Sequence, residues 1–197
     1  MKECKKNITG YILAGGKSSR MGKDKGLLKI NDKEIIQHII EQLKPVLENI
    51  VIIANNTGYQ KFELEVIPDL LRDAGPAGGI YTALSHARTE NIFITGCDMP
   101  FINTAAIEFL INASLQTQIT LIEHNGKTEP LFGVFSKSCL PHWNSLIQKG
   151  FLKLHKMVED FDLLKLNIDG NPLFDDLFFT NINTPEDFKK AMISKNR

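Results

Sequence analysis

Three short, largely apolar runs constrain the fold of this chain more than any other feature of its sequence. They cover residues 8–13, 50–54 and 92–96, and the second is rich in β-branched side chains. Runs of this kind are typical of parallel strands that are buried on both faces. Parallel strands need long crossovers, so we expect helices between them. The pattern predicts an α/β, Rossmann-like, three-layer fold with a mostly parallel central sheet, which binds ligands at the carboxyl ends of its strands.

The segments between these runs carry helical periodicity. Residues 34–47 place six isoleucine and leucine side chains on one stripe, which predicts a helix over that range. Helices are also predicted at 78–87 and at 104–113, the second with Thr104 as its N-cap. Short strands are predicted at 27–30 and 65–67.

The second half of the chain is less regular. Strands are predicted at 119–123, 131–135, 163–167 and 178–180, with a turn at Asn125 and Gly126 between the first two. Helices are predicted at 140–149 and 152–158, and a last helix begins near Pro185 after Asn183 and Thr184. No linker or repeat divides the chain, so we expect a single domain over residues 1–197.

A paired glycine lies just beyond the first predicted strand. Gly15 and Gly16 come after residues 8–13, and four basic side chains follow within nine residues: Lys17, Arg20, Lys23 and Lys25. Glycines let backbone N–H groups approach a phosphate, and the cations neutralise its charge. A loop of this kind after a strand predicts a nucleotide site, whereas the alternative is a surface loop of solvated lysines.

Two better-known phosphate loops do not fit this segment. A Walker A loop needs a glycine five positions before the one that precedes the lysine, and Tyr11 stands there. The dinucleotide fingerprint needs Gly-x-Gly-x-x-Gly, and Gly15 and Gly16 are adjacent. A P-loop phosphotransferase is therefore disfavoured.

The glycine loop resembles a known signature. Residues 13–22 read LAGGKSSRMG, which is similar to the signature of sugar-nucleotide-type nucleotidyltransferases. Residues 24–28 read DKGLL, which resembles the molybdenum cofactor guanylyltransferase branch. Enzymes of that branch transfer GMP from GTP to the terminal phosphate of molybdopterin. The resemblance implies a nucleotide-binding part at about 7–110 and an acceptor-binding part at about 111–197.

A carboxylate follows the third predicted buried strand. Asp98 comes after residues 92–96, where an α/β sheet presents ligands. Magnesium takes oxygen ligands and shares them with substrate phosphates, so Asp98 is the candidate ligand for Mg²⁺. The resemblance implies the same role. The neighbouring Cys97 is expected to be a small buried side chain.

Residues between the two motifs are candidates for holding the base. The turn of Gly75, Pro76 and Gly78 exposes backbone before a helix, and the resemblance makes this loop and Asp69 nucleotide contacts. The resemblance also implies that a polar residue near the end of the second strand contacts the nucleotide. Ile53 stands at that position, and Asn55 is expected to serve instead, which leaves room for cytosine in place of guanine.

Roles for the phosphate-binding residues follow from the same resemblance. Lys25 is expected to stabilise charge at the α-phosphate and Arg20 to assist the leaving pyrophosphate. The backbone that binds the phosphates is expected at Leu13, Ala14, Gly15 and Gly16. The segments around Glu129 and Asn181 are expected beside the acceptor, without assigned roles, and none of the five histidines is assigned to catalysis.

Composition limits the remaining partners. The formal net charge is +0, so the basic cluster suits a small anion rather than a nucleic acid or a membrane surface. No apolar stretch reaches the length of a membrane span, and three cysteines without metal-ligand spacing favour a cytoplasmic protein. Other proteins of molybdenum cofactor biosynthesis and molybdoenzyme chaperones are the expected protein partners. The alternative functions are a CTP-dependent or sugar- or alditol-phosphate nucleotidyltransferase, and a non-catalytic module that binds a nucleotide or molybdopterin.

Overall fold

The computed structural model describes residues 6–14, 24–30, 32–71, 73–114, 116–175, 177–182 and 185–194. Nine strands and six α-helices lie in these ranges. The strands are β1 (Lys6–Leu13), β2 (Lys29–Ile30), β3 (Lys33–Glu34), β4 (Leu47–Ile53), β5 (Glu65–Ile67), β6 (Asn91–Gly96), β7 (Ile119–His124), β8 (Lys127–Ser136) and β9 (Leu163–Asn167). The helices are α1 (Ile35–Leu43), α2 (Gly75–His86), α3 (Thr104–Ala113), α4 (Leu140–Gln148), α5 (Leu154–Met157) and α6 (Pro185–Ser194).

Seven strands form the central sheet, in the order β5-β4-β1-β6-β8-β7-β9. The pairs β5-β4, β4-β1, β1-β6 and β7-β9 are parallel. Only β8, among the strands of the described sheet, runs against its neighbours β6 and β7. The carboxyl ends of the other six strands therefore meet along one edge. The predicted α/β fold with a mostly parallel sheet is confirmed.

Helices cover both faces of the sheet, which explains why its strands lack polar alternation. In β1, Ile12 packs into the cluster that contains α1 and α3, and Tyr11 and Leu13 pack into the cluster that contains α2 and α4. The same alternation divides Ile52 from Ile53 in β4. Because both faces of the sheet are buried, the carboxyl-terminal parts of both strands are continuously apolar, at residues 11–13 of β1 and 50–53 of β4.

Several predicted bounds differ from the structure. The helix predicted at 34–47 ends at Leu43, and Leu47 begins β4. The turn between α1 and β4 is short, so Leu47 still falls on the helical spacing of the apolar residues although it lies outside the helix. The helix predicted at 78–87 begins at Gly75, with Pro76 in its first turn, where a missing N–H costs nothing. In the segment predicted as a strand at 27–30, a 3₁₀ turn (Lys25–Leu27) precedes the short β2.

One capping prediction and one strand prediction are wrong. The N-cap of α3 is Asn103, whose side chain accepts from the Ala106 N–H at 2.9 Å, whereas the hydroxyl of Thr104 donates to the carbonyl of Gln42. The strand predicted at 178–180 is a turn. Phe178 in that turn is fully buried against Phe132, so its apolar character serves packing rather than strand pairing.

Candidate active site

A cleft of about 1320 Å³ opens at the carboxyl edge of the sheet, where the loops after β1, β4, β5 and β6 come together. Eight of the residues predicted from the sequence line it: Leu13, Ala14, Lys25, Asn55, Asp69, Gly75, Pro76 and Asp98. Gly78 is not among the lining residues, and Gly79 lies there instead. Gly15, Gly16 and Arg20 lie outside the described residues.

At the cleft, backbone hydrogen bonds between neighbouring strands continue beyond the last paired residues of the sheet. The Ala14 N–H donates to the Ile53 carbonyl at 2.9 Å, and the Cys97 N–H donates to the Leu13 carbonyl at 3.1 Å. The Ala54 N–H likewise donates to the Ile67 carbonyl at 3.0 Å. The residues that begin each loop are thus fixed by the sheet.

Asp98 lies two residues beyond β6, against the wall of the cleft. A Cβ at Gly96 would lie 2.6 Å from Oδ1 of Asp98, so the glycine makes room for the carboxylate. Burial raises the pKa of Asp98 above its ordinary value, and a backbone hydrogen bond and the charge of Lys25 oppose this rise. A carboxylate that has lost water and faces one lysine is a suitable ligand for a further cation.

Glu129 is a second half-buried carboxyl group, and its charge interacts with that of Asp98. Strand β8 pairs Phe132 with Thr95 of β6, and this antiparallel register brings the start of β8 past the end of β6. The Leu131 N–H donates to Oε1 of Glu129 at 3.4 Å. Burial raises the pKa of Glu129, and the nearby charge of Asp98 raises it further.

These two acids bear on whether a divalent metal fits the site. Among the described residues, no three His, Cys, Asp or Glu side chains cluster closely enough to hold a metal ion. A magnesium ion at Asp98 would need most of its ligands from water and from substrate phosphates, which is its usual behaviour. The oxygen donors present therefore fit a metal that arrives with a nucleotide. The thiol of Cys97 does not compete for it, because burial raises the pKa of that thiol to about 12.

The side of the cleft after β4 and β5 is held by polar contacts. The side-chain oxygen of Asn55 accepts from the Asp69 N–H at 3.2 Å. Oδ1 of Asp69 accepts from the Thr82 hydroxyl at 2.8 Å and from the Leu71 N–H at 3.2 Å. Asn55 and Asp69 thus brace each other's loops. Ile53 also lines the cleft, at the position where the resemblance expects a polar residue.

Gly75 and Gly78 have different physical roles at the start of α2. Gly75 has a φ of +56°, a conformation that favours glycine, and it lies in the cleft wall. A Cβ at Gly78 would lie 2.9 Å from the Cβ of Ala74 and 3.5 Å from Oδ1 of Asp69. Gly78 therefore allows the helix to pack closely on the loop that carries Asp69.

The segment before α6 also reaches the site. The Ile182 N–H donates to the carbonyl of Asp98 at 2.9 Å. The side-chain oxygen of the adjacent Asn181 is buried and has no hydrogen-bond partner among the residues that the structure describes. No periodic apolar pattern marks this segment, and only the resemblance predicted that it lies near the site.

Comparison with known proteins identifies the family of this chain. The model of the MobA-like NTP transferase domain matches residues 10–162. The chain belongs to this family. A probable molybdenum cofactor guanylyltransferase of Flavobacterium johnsoniae is 39% identical over 188 residues, which cover 95% of this chain and 97% of that protein. The family and the nucleotidyltransferase class predicted from the sequence are confirmed.

Two solved structures share the fold of this family member. Molybdopterin-guanine dinucleotide biosynthesis protein A of Archaeoglobus fulgidus is 24% identical with a TM-score of 0.81, and the match covers 96% of this chain and all (100%) of that one. A Mycobacterium tuberculosis protein solved in complex with manganese is 17% identical with a TM-score of 0.70, and the match covers 95% and 98% of the two chains.

The helices of the described ranges are all too short or too polar to cross a lipid bilayer.

Proposed function

We propose that this chain transfers GMP from GTP to the terminal phosphate of molybdopterin, with release of pyrophosphate. The observation that carries the proposal is that Lys25 and Asp98 share one large cleft with the end of β1, in a member of the MobA-like family. The relative from Flavobacterium johnsoniae bears the name of this activity and aligns over nearly the whole chain. The predicted guanylyltransferase function is retained over the sugar-phosphate alternative.

The reaction is a direct displacement at phosphorus. An oxygen of the molybdopterin phosphate attacks the α-phosphorus of GTP, and the bond from that phosphorus to the bridging oxygen of the β-phosphate breaks. The leaving pyrophosphate takes the electron pair, and no side chain of the protein becomes covalently attached. Catalysis then consists of alignment and charge neutralisation.

Lys25 supplies the cation that the described residues bring to the reacting centre. It lines the cleft, and its charge acts on Asp98. We propose that it stabilises the negative charge that develops on the α-phosphate. Arg20, which lies outside the described residues, is proposed to stabilise the leaving pyrophosphate, and Gly15 and Gly16 to offer backbone N–H groups to the phosphates.

Asp98 is the residue that would hold Mg²⁺. When bound there, the ion would neutralise charge on the phosphate oxygens of the nucleotide. The half-buried carboxylate of Asp98 suits this role, since it lines the cleft and Lys25 is the one described cation whose charge is shown to act on it.

Guanine is proposed to bind against the start of α2. Gly75 and Pro76 line the cleft there, and Asp69 is braced beside them by Thr82. The side chain of Asn55 is proposed to make the polar contact with the nucleotide that the apolar side chain of Ile53 cannot make. A cytoplasmic location and contacts with other proteins of molybdenum cofactor biosynthesis or with molybdoenzyme chaperones complete the proposal.

The test is pyrophosphate release with GTP, CTP, ATP or UTP, each with and without molybdopterin. We expect release only with GTP and molybdopterin together, and none from the Asp98→Ala variant. A clear preference for CTP would overturn the guanine assignment, and Ile53 would be the first residue to examine. Binding of GTP without release under any condition would support the non-catalytic alternative.

A further inference from the structure

A fully buried tyrosine joins the two ends of the segment that precedes Lys25. Tyr59 lies in a 3₁₀ turn (Thr57–Phe62) between β4 and β5 and is 0% exposed. Its hydroxyl donates to Oδ1 of Asp24, and the carbonyl oxygen of Ala14 lies 3.4 Å from the same hydroxyl. Burial holds the pKa of Tyr59 well above its ordinary value, so the hydroxyl remains a donor. One side chain therefore contacts the residues on both sides of residues 15–23.

The other oxygen of Asp24 is held from the same connection. Nδ2 of Asn56 donates to Oδ2 of Asp24 at 3.3 Å. The side-chain oxygen of Asn56 accepts from the Gly58 N–H at 2.8 Å and so caps the turn that carries Tyr59. Asp24 accepts on both oxygens, which suits a carboxylate better than an amide. We call Tyr59, Asp24 and Asn56 the clasp.

Gly26 is shaped by the same tyrosine. A Cβ at Gly26 would lie 2.5 Å from the hydroxyl oxygen of Tyr59, closer than real Cβ atoms come to other atoms, and 3.1 Å from a ring carbon, which is a tight contact. Tyr59 is fully buried, so it has little room to move. The two neighbours of Lys25 in sequence, Asp24 and Gly26, are thus both fixed against one buried ring.

These contacts give a physical reason for the order of residues Asp24, Lys25 and Gly26. We propose that Tyr59 is a positioning residue for the transfer reaction, which fixes Asp24 and Gly26 so that Lys25 projects into the cleft beside Asp98. The inference rests on the proposed function, because Tyr59 is proposed to affect the reaction through the position of Lys25. Tyr59 itself does not line the cleft, so it acts through Lys25 rather than by touching a substrate.

The test is a double-mutant cycle between Tyr59→Phe and Lys25→Ala, measured as turnover and GTP affinity. Tyr59→Phe keeps the ring and removes the hydroxyl. We expect it to lower kcat roughly tenfold, the usual cost of losing a hydrogen bond to a charged group, with the KM for GTP changed less than about twofold. In the Lys25→Ala background the same change should lower kcat less than about twofold, because its point of action is gone.

The matched control is Tyr81→Phe, which removes a hydroxyl from a half-buried tyrosine of α2 outside the cleft and should leave kcat unchanged. A merely structural role for Tyr59 predicts a lower Tm and equal losses of kcat in both backgrounds. Equal losses, or no loss from Tyr59→Phe in the otherwise native chain, would overturn the inference. Failure of the native chain to release pyrophosphate would instead overturn the proposed function.

A second pair of variants tests the clasp without changing Lys25. Gly26→Ala should lower kcat at least roughly tenfold, because the new methyl group displaces the Tyr59 hydroxyl. Combining it with Tyr59→Phe removes the atom that the methyl group meets at 2.5 Å but keeps the ring carbon at 3.1 Å, so the double variant should lose less than the product of the two single losses. Losses that simply multiply would overturn the inference.

Discussion

The two halves of the candidate site are built differently. In the first half, each of the parallel strands β1, β4 and β6 is followed within two residues by a residue that lines the cleft: Ala14, Asn55 and Asp98. In the second half, Glu129 lies near the start of the antiparallel β8, and Asn181 arrives on a segment without regular structure. Site residues that follow parallel strands can therefore be located from the apolar run before them. A site residue near the start of an antiparallel strand has no such run before it and is harder to predict.

The comparison predicts that the first half carries the chemistry. The largest effect is expected from Asp98→Asn, which keeps the shape of the side chain but removes its charge. Turnover should fall about a thousandfold, since the phosphates lose the metal ligand that the protein supplies. Steady-state pyrophosphate release at saturating GTP measures the loss.

Asp162→Asn is the matched control for Asp98→Asn. Asp162 is exposed, lies just before β9 and does not line the cleft. Its variant should keep the native turnover. Near-native, magnesium-dependent turnover of Asp98→Asn would remove Asp98 from the site.

The next largest effect is expected from Lys25→Ala. Loss of one electrostatic contact to the transition state commonly costs about 3 kcal/mol, or roughly a hundredfold in rate. If Lys25 neutralises charge that develops during transfer, kcat should fall much more than GTP affinity. Titration of GTP and turnover are measured on the same preparations.

Lys29→Ala removes an exposed lysine of β2 and should alter neither quantity. Lys25→Arg keeps the charge with a different reach, so only partial recovery is expected. Equal losses of affinity and turnover in Lys25→Ala would make Lys25 a ground-state phosphate contact instead.

The sequence predicted most of the first half because burial on both faces leaves a clear apolar pattern. Asp98 could be found because it lies two residues after such a run. Tyr59 could not, since a buried tyrosine in a turn looks like any core aromatic until its hydroxyl contact with Asp24 is seen. Glu129 was missed as a neighbour of Asp98 because β8 was predicted to begin at 131, whereas it begins at Lys127.

The second half should affect the acceptor and not the nucleotide. Asn181→Ala removes a buried side-chain oxygen that has no partner among the described residues. We expect the KM for molybdopterin to rise roughly tenfold, the size of one lost polar contact, with GTP affinity unchanged. The comparison of the two halves would fail if GTP affinity fell and the acceptor KM did not change. Asn91→Ala, at the amino end of β6, is the matched control.

The smallest expected effect concerns stability. Burial raises the pKa of Asp98 in the folded state above that in the unfolded chain. The folded state therefore binds a proton more readily, so ionised Asp98 costs stability at neutral pH, and this cost disappears as the pH falls through the folded-state pKa. Asp98→Asn should raise the Tm at pH 7, and the gain should shrink at acidic pH.

Thermal unfolding at several pH values measures this difference, with Asp162→Asn as the control. Burial also raises the pKa of Glu129, so Glu129→Gln should change the Tm in the same direction. A lower Tm for Asp98→Asn at pH 7 would mean that the carboxylate stabilises the fold and is not held there at a cost.

The fate of labelled phosphate tests the central claim most directly. The chain is incubated with molybdopterin and GTP that carries the label at the α-phosphate in one reaction and at the γ-phosphate in another. Nucleotidyl transfer predicts that the α label enters the molybdopterin product while the γ label leaves in pyrophosphate. Transfer of the γ label to molybdopterin, with GDP as the second product, would contradict the account.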